Sequence, residues 1–334
     1  MEDEYDPQWL ALERAGGGPK ELRGTGQEIR EQYDSMLLAL SQQWPAQPSV
    51  HTRDLTIGSD SPVGQIPIRV YSPSLEQEAK LPLGVLFHGG GWLSGTLDSE
   101  HAQCCIIAKE TPCVIFSVGY KLGPEHKTPE ILASCAYALR YAYTHAAGLG
   151  GDPEKLFTIG GSAGATLALH FAPASIGDNI MGAPVRGCIA LNPVALYPEQ
   201  PPNKYQHLYR SFKEFEFTAR FVKGPNVRGA FESIATKPED RDIVNFAYSD
   251  SSYHSQFPPT YIVTSEKDVM RDDGVIMEAL LRDAGVPVKR DHYMGMPHYF
   301  FVYPSLDRSK AFLENTAAGI RFVLKEDPLS ANIL

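Results

Sequence analysis

Apolar and polar positions along this 334-residue chain follow two periods, and the switches between them mark out its elements. From residue 27 to 43, Ile29, Tyr33, Met36, Leu37 and Leu40 fall on one face of a helix, which needs a surface to cover. Residues 50–57 and 66–71 alternate with the period of a strand. Gly58, Ser59, Asp60, Ser61, Pro62 and Gly64 lie between them, which predicts an antiparallel hairpin at one edge of a sheet. Continuous apolar runs at 83–87 and 114–118 predict buried strands, and the stretches at 156–159, 185–191, 260–264 and 288–293 predict the rest. Between them, Ile131, Cys135, Leu139 and Ala142 share one helical face, with Gly148 ending the element. Helices centred on Met277 and Ile320 carry matching faces. Such alternation predicts the α/β class, with a mostly parallel central sheet and helices on both faces.

One interval breaks the rhythm. Residues 197–252 carry many aromatics (Tyr205, Tyr209, Phe212, Phe215, Phe217 and Phe221) and no β pattern, so they form an insertion between two strands. The chain is therefore expected to be a single domain. Its core would be residues 51–196 and 253–334, with a helical lid made of an N-terminal segment, 1–50, and the insertion, 197–252. The aromatics suit lid packing better than ligand contact.

The joint between the strand at 156–159 and the helix formers at 165–171 reads Gly160-Gly161-Ser162-Ala163-Gly164. A strand that turns at once into a helix leaves no room for a Cβ at positions 160 and 164, and it pushes the hydroxyl of Ser162 clear of the sheet. A Gly-x-Ser-x-Gly run alone is also an ordinary tight turn, so its partners matter. His88-Gly89-Gly90-Gly91-Trp92 follows directly on the strand 83–87, where glycines leave backbone N–H groups free to point into open space. Gly89, Gly90, Gly91 and Ala163 are the candidate oxyanion donors, with Gly90 and Gly91 foremost. Trp92 and Tyr299 are candidate substrate contacts. Asp268 and His298 each lie just past a predicted strand, where open α/β sheets place functional groups. Asp272 and Asp273 compete with Asp268, but they read better as the acidic first turn of the next helix. His101 and His126 suit structural hydrogen bonds, and His88 suits ordering of the glycine loop. The order Ser162, Asp268, His298 is that of nucleophile, acid and base in one such architecture.

Charge and cysteine usage narrow the picture. A net charge of −10 argues against a nucleic-acid surface. The five cysteines lack metal-ligand spacing and are expected to be reduced and structural. Met1-Glu2-Asp3-Glu4 lacks the basic-then-apolar order of a signal peptide, and no apolar run is long enough to span a bilayer. A cytoplasmic enzyme acting on a small molecule is the expectation.

From about residue 50 onward the chain resembles the hormone-sensitive-lipase-like family of α/β-hydrolases. His88-Gly89-Gly90-Gly91-Trp92 is similar to its oxyanion loop, and Tyr120-Lys121-Leu122-Gly123-Pro124-Glu125-His126 to its Tyr-Arg-Leu-Ala-Pro-Glu-His segment. Gly160 to Gly164 resembles its elbow, Lys267-Asp268-Val269-Met270-Arg271-Asp272-Asp273 its acid-bearing stretch, and Gly295-Met296-Pro297-His298 its histidine loop. Tyr299 stands where the family usually has Gly. The resemblance implies an α/β-hydrolase fold with a lid and a carboxylic-ester hydrolase taking small to medium acyl groups. It also implies no metal or cofactor, and dimers through an edge strand are frequent in the family. Some members serve biosynthesis as deacetylases or lactonases, or have left hydrolysis for dehydration, cyclisation or acyl transfer, and the aromatic insertion here suits one bulky metabolite as readily as a general esterase's substrates. Others are hormone receptors that lack the catalytic histidine, which this chain keeps.

Overall fold

The computed structural model describes residues 5–18, 22, 26–74, 80–237 and 243–325. Eight strands form one sheet: β1 (Val50–Ile57), β2 (Ile66–Pro73), β3 (Leu81–Phe87), β4 (Val114–Val118), β5 (Gly151–Gly161), β6 (Gly187–Leu191), β7 (Thr260–Lys267) and β8 (Val288–Pro297). Their spatial order is β1-β2-β4-β3-β5-β6-β7-β8. The first two pair antiparallel with each other and β2 pairs antiparallel with β4, while all later neighbours are parallel. Every residue of β3, β4 and β6 is buried. Strands covered on both faces have no polar side to show, which is why they read as unbroken apolar runs. The hairpin β1–β2 sits at the sheet edge, as its alternation predicts.

Eleven α-helices appear among the described residues. They are α1 (Pro7–Ala15), α2 (Gly26–Ser41), α3 (His101–Glu110), α4 (Thr128–Thr144), α5 (Ala163–His170), α6 (Ala174–Met181), α7 (Ser211–Phe215), α8 (Gly224–Ser233), α9 (Ser251–His254), α10 (Arg271–Asp283) and α11 (Asp307–Leu324). Two apolar clusters separate the two faces of the sheet. One takes Ile131, Cys135, Leu139 and Ala142 of α4 together with Leu167 of α5 and Met277 of α10. The other takes Tyr33 and Leu37 of α2, Ile107 of α3, and Phe312 and Ile320 of α11. The apolar stripe on α2 thus covers α3 and the region after β8, where the indole N–H of Trp44 donates to the carbonyl of Val302 at 3.2 Å.

Several boundaries differ from the sequence reading, three of them as follows. β5 starts at Gly151, because Gly151 and Asp152 pair with Leu81 and Pro82 across a register shift. β6 starts at Gly187 rather than at 185. β8 runs on to Pro297, which pairs with Lys267 and carries the backbone right up to His298. Gly295, at φ +70°, hides that extension from any pattern of alternation.

The insertion after β6 carries α7, α8 and α9. Phe212, Phe215 and Phe231 from it are buried in the first cluster, whereas Phe217 is exposed. Asp272 and Asp273 do more than the first-turn role expected of them. Asp273 accepts the backbone N–H groups of Ala195 and Leu196, each at 3.0 Å, and Asp272 those of Arg210 and Ser211, each at 2.7 Å. Two buried carboxylates therefore fasten the insertion, and the chain leading into it, to the head of α10. No helix among the described residues is long and apolar enough to cross a membrane.

All five cysteines are buried and outside any disulfide, and burial pushes the thiols of Cys104, Cys105, Cys135 and Cys188 above the ordinary range. A thiolate is the reactive form, so a disulfide reagent such as Ellman's should find almost no fast-reacting thiol in the native protein at pH 8. All five should react once it is unfolded in guanidinium. A fast stoichiometric reaction in the native state would contradict this packing.

Candidate active site

β5 delivers its last residues, all buried, into the turn that begins α5. Ser162 sits at φ +54°, ψ −120°, a conformation L-residues avoid, and its N–H is pinned to the carbonyl of Leu191 at 2.8 Å. Space dictates the flanking glycines. A Cβ at 164 would lie 1.9 Å from the carbonyl oxygen of Phe87, and one at 160 would lie 2.3 Å from the carbonyl group of Gly164. Only glycine lets β3, β5 and α5 approach so closely, and the approach thrusts the serine outward.

Asp268 and His298 arrive from the carboxyl ends of β7 and β8. His298 Nδ1 lies 2.7 Å from Asp268 Oδ2, and its Nε2 lies 2.9 Å from Ser162 Oγ. A carboxylate only accepts, so Nδ1 carries the proton and Nε2 offers its lone pair to the serine hydroxyl. Asp268 is itself oriented: Oδ1 accepts the N–H of Met270 at 2.9 Å, and Oδ2 accepts the amide of Asn192 at 3.3 Å. Asn192 also donates to Ser265 Oγ at 3.0 Å. This asparagine escaped the sequence reading, although its place directly after β6, at the carboxyl edge, was a usable signal.

The glycine loop supplies the opposite wall. His88 is buried, its Nδ1 lies 2.8 Å from the carbonyl oxygen of Gly89, and its ring stacks on Tyr120 at 4.3 Å. The Tyr120 hydroxyl donates to the His88 carbonyl at 2.7 Å. Burial lowers the pKa of His88 to about 4, so it is neutral near pH 7 and serves to order the loop. Gly90 and Gly91 hold φ +116° and +64°, and Ala163 opens α5. Their three N–H groups have no protein acceptor among the described residues, as donors waiting for an anion require.

Three sequence assignments change here. The N–H of Gly89 is spent on Glu100 Oε1 at 3.0 Å, so it is not an available oxyanion donor. Trp92 is 1 % exposed, donates its indole N–H to the Ala163 carbonyl at 3.1 Å and packs edge-on against Phe231. Tyr299 is equally buried and donates its hydroxyl to Glu100. Both aromatics commit their polar atoms to bracing the loops, so neither has one to offer a bound molecule. Glu100 was not singled out from the sequence, because nothing local marks its pairing with residues 89 and 299.

The first fifty residues also reach the site. From α2, Arg30 Nε donates to the Leu93 carbonyl at 2.5 Å, and its guanidinium also bonds the Gly123 carbonyl and both oxygens of Glu125. Asp34 accepts the N–H of Gly95 at 2.7 Å. The helix thus clips together the glycine loop and the segment 120–126. Since Glu125 is largely exposed, the two part-buried carbonyls set the cost of losing Arg30. Arg30→Ala should lower the unfolding free energy by about 1.5–3 kcal/mol in urea titration; no change in the midpoint would show that the clip is ornamental.

Similarity to known proteins follows the same lines. A family model described as the alpha/beta hydrolase fold matches residues 84–302. The chain is 36% identical over 326 residues to a versiconal hemiacetal acetate esterase of Dothistroma septosporum, covering 98% of this chain and 97% of the other. It is 29% identical over 256 residues to the carboxylesterase NlhH of Mycobacterium tuberculosis, covering 75% and 76%. Among solved structures, a hyperthermophilic esterase from the archaeon Pyrobaculum calidifontis superposes with a TM-score of 0.81 at 25% identity, over 95% of this chain and 98% of that one.

Proposed function

We propose that this chain, which belongs to the hormone-sensitive-lipase-like branch of the α/β-hydrolase fold family and is a carboxylesterase, works through an acyl-enzyme on Ser162. The observation that carries this reading is the unbroken series Ser162–His298–Asp268, with contacts of 2.9 and 2.7 Å. Ser162 Oγ attacks the ester carbonyl as His298 Nε2 takes its proton. Asp268 holds the imidazole in the right tautomer and stabilises the imidazolium. The carbonyl oxygen, now negative, is held by the amides of Gly90, Gly91 and Ala163, each important donor contributing about 3–4 kcal/mol. The tetrahedral intermediate collapses and the alcohol departs with the proton from His298. Water, deprotonated by the same nitrogen, then attacks the acyl-enzyme and releases the acid.

The substrate we propose is a short-chain ester, an acetate foremost, of a bulky secondary metabolite. Support comes from the relative named for versiconal hemiacetal acetate and from the nearness of the insertion to the glycine loop. A Cβ on Gly91 would lie only 3.7 Å from that of Ala230 in α8, which leaves little height for a long acyl chain. Segments 1–50 and 197–252 act as the lid, and the five cysteines outside any disulfide suit a reducing, cytosolic setting.

Ser162→Ala should reduce turnover of p-nitrophenyl acetate by at least ~10³-fold while leaving the fold intact by circular dichroism. Retained turnover in that variant would refute the nucleophile assignment. Across p-nitrophenyl esters of rising acyl length, kcat/KM should be highest at acetate and fall steeply with longer chains. A profile that rises towards octanoate would rule out the short acyl pocket.

A further inference from the structure

Glu100 stands directly before α3, buried, and one of its oxygens serves two distant loops. Oε1 accepts the N–H of Gly89 at 3.0 Å and the hydroxyl of Tyr299. Gly89 precedes the two glycines whose amides face the site. Tyr299 follows His298, and the two rings stack with centroids 5.5 Å apart. There is no slack around this junction. A Cβ on Gly89 would fall 2.3 Å from the tyrosine hydroxyl oxygen, and one on Gly161, the residue before Ser162, would fall 2.6 Å from it. Tyr299 also holds φ +60°, a conformation that persists in a bulky residue only when its surroundings impose it.

We propose that Glu100 is a positioning residue which, through Gly89 and Tyr299, fixes the spacing between the oxyanion-donor amides and His298. This role rests on the catalytic reading of Ser162, His298 and the glycine amides given above. It assigns Tyr299 a purpose at a position where the family usually has glycine: a strut between the histidine loop and the glycine loop.

The carboxyl group is poised to change state near neutral pH. Its Oε2 has no partner among the described residues, and Glu100 lines a cavity of about 20 Å³ together with Gln103, whose Oε1 is likewise unpartnered. Burial raises its pKa to about 7, against the smaller opposing pull of the Tyr299 and Gly89 hydrogen bonds. The titratable groups around it are Tyr33 of α2, Cys104 of α3, Tyr120 after β4, Tyr299 after β8, and His88 across the Gly89 peptide. None of them is cationic near pH 7, so none offsets the burial. The ionised carboxylate is the stronger acceptor, so its grip on both loops is full above the raised pKa and slackens as pH falls through it.

The test is steady-state kinetics with p-nitrophenyl acetate on Glu100→Ala, Glu100→Gln and Tyr299→Phe, with Ser162→Ala as the control. Glu100→Ala should lose roughly 10–100-fold in kcat with KM changed by no more than about twofold, as expected when reacting groups are misplaced rather than when binding is lost. Glu100→Gln keeps an acceptor oxygen and should recover most of kcat at pH 8. Its kcat profile should fall off on the acid side with one ionisation where the natural enzyme shows two. Tyr299→Phe should fall between the two. A folded Glu100→Ala enzyme with unchanged kcat would overturn the positioning role, as would a Glu100→Gln pH profile that superimposes on the natural one. If Glu100→Ala does not fold, Glu100→Gln and Tyr299→Phe decide the matter alone. Turnover that survives in Ser162→Ala would instead overturn the catalytic reading on which the role rests.

Discussion

The Phe87 carbonyl oxygen lies 1.9 Å from where a Cβ of residue 164 would be, and the geometry of the site follows from that exclusion. β3 and the start of α5 are pressed together so closely that the chain between β5 and α5 has a single way through. That route places Ser162 in a left-handed, strained conformation with its hydroxyl exposed to the base and its backbone anchored to β6. The same compression brings the glycine loop, which continues from β3, beside the first free amide of α5. Ser162 and the free amides of Gly90, Gly91 and Ala163 are thus placed by one packing contact. The parallel sheet supplies the remainder, because β7 and β8 end on the same edge and hand over Asp268 and His298 there.

Around this rigid centre the protein spends buried hydrogen bonds on holding loops in place. Asn192 and the Met270 amide steady Asp268, His88 and Tyr120 steady the glycine loop, and Arg30 clips that loop to the segment 120–126. Asp272 fastens the insertion, and Asp273 the chain leading into it, to the head of α10. All of these but the Asn192–Asp268 bond use a charged or polar side chain to satisfy backbone groups that no strand or helix serves. Loops at an active site are where such groups accumulate.

Much of the site was legible in the sequence, for a physical reason. Ser162 and Asp268 follow strands whose apolar runs announce themselves, His298 follows the more polar stretch 288–293, and the sheet's parallel topology brings their ends together. The face of α4 was equally plain, since Ile131, Cys135, Leu139 and Ala142 are all buried as their spacing requires. What stayed hidden is pairing over long separations. Glu100 meets Tyr299 across 199 positions and Arg30 meets Leu93 across 63, and no periodicity encodes either. The glycine loop was half legible. Its composition shows that amides are available, but only the placement of Glu100 shows that the Gly89 amide is already taken. Trp92 and Tyr299 misled because aromatics beside catalytic groups suggest contact with a ligand. Here their polar atoms are committed to Ala163 and Glu100.

Rapid acid quenching during turnover of p-nitrophenyl acetate, followed by peptide mass spectrometry, tests the central claim most directly. A covalent acyl-enzyme formed by the bonded series requires one acetyl group per chain, located on Ser162 and accumulating within the first turnover. An acetyl group on another residue, or turnover with no acetylated intermediate under any quench, would contradict it.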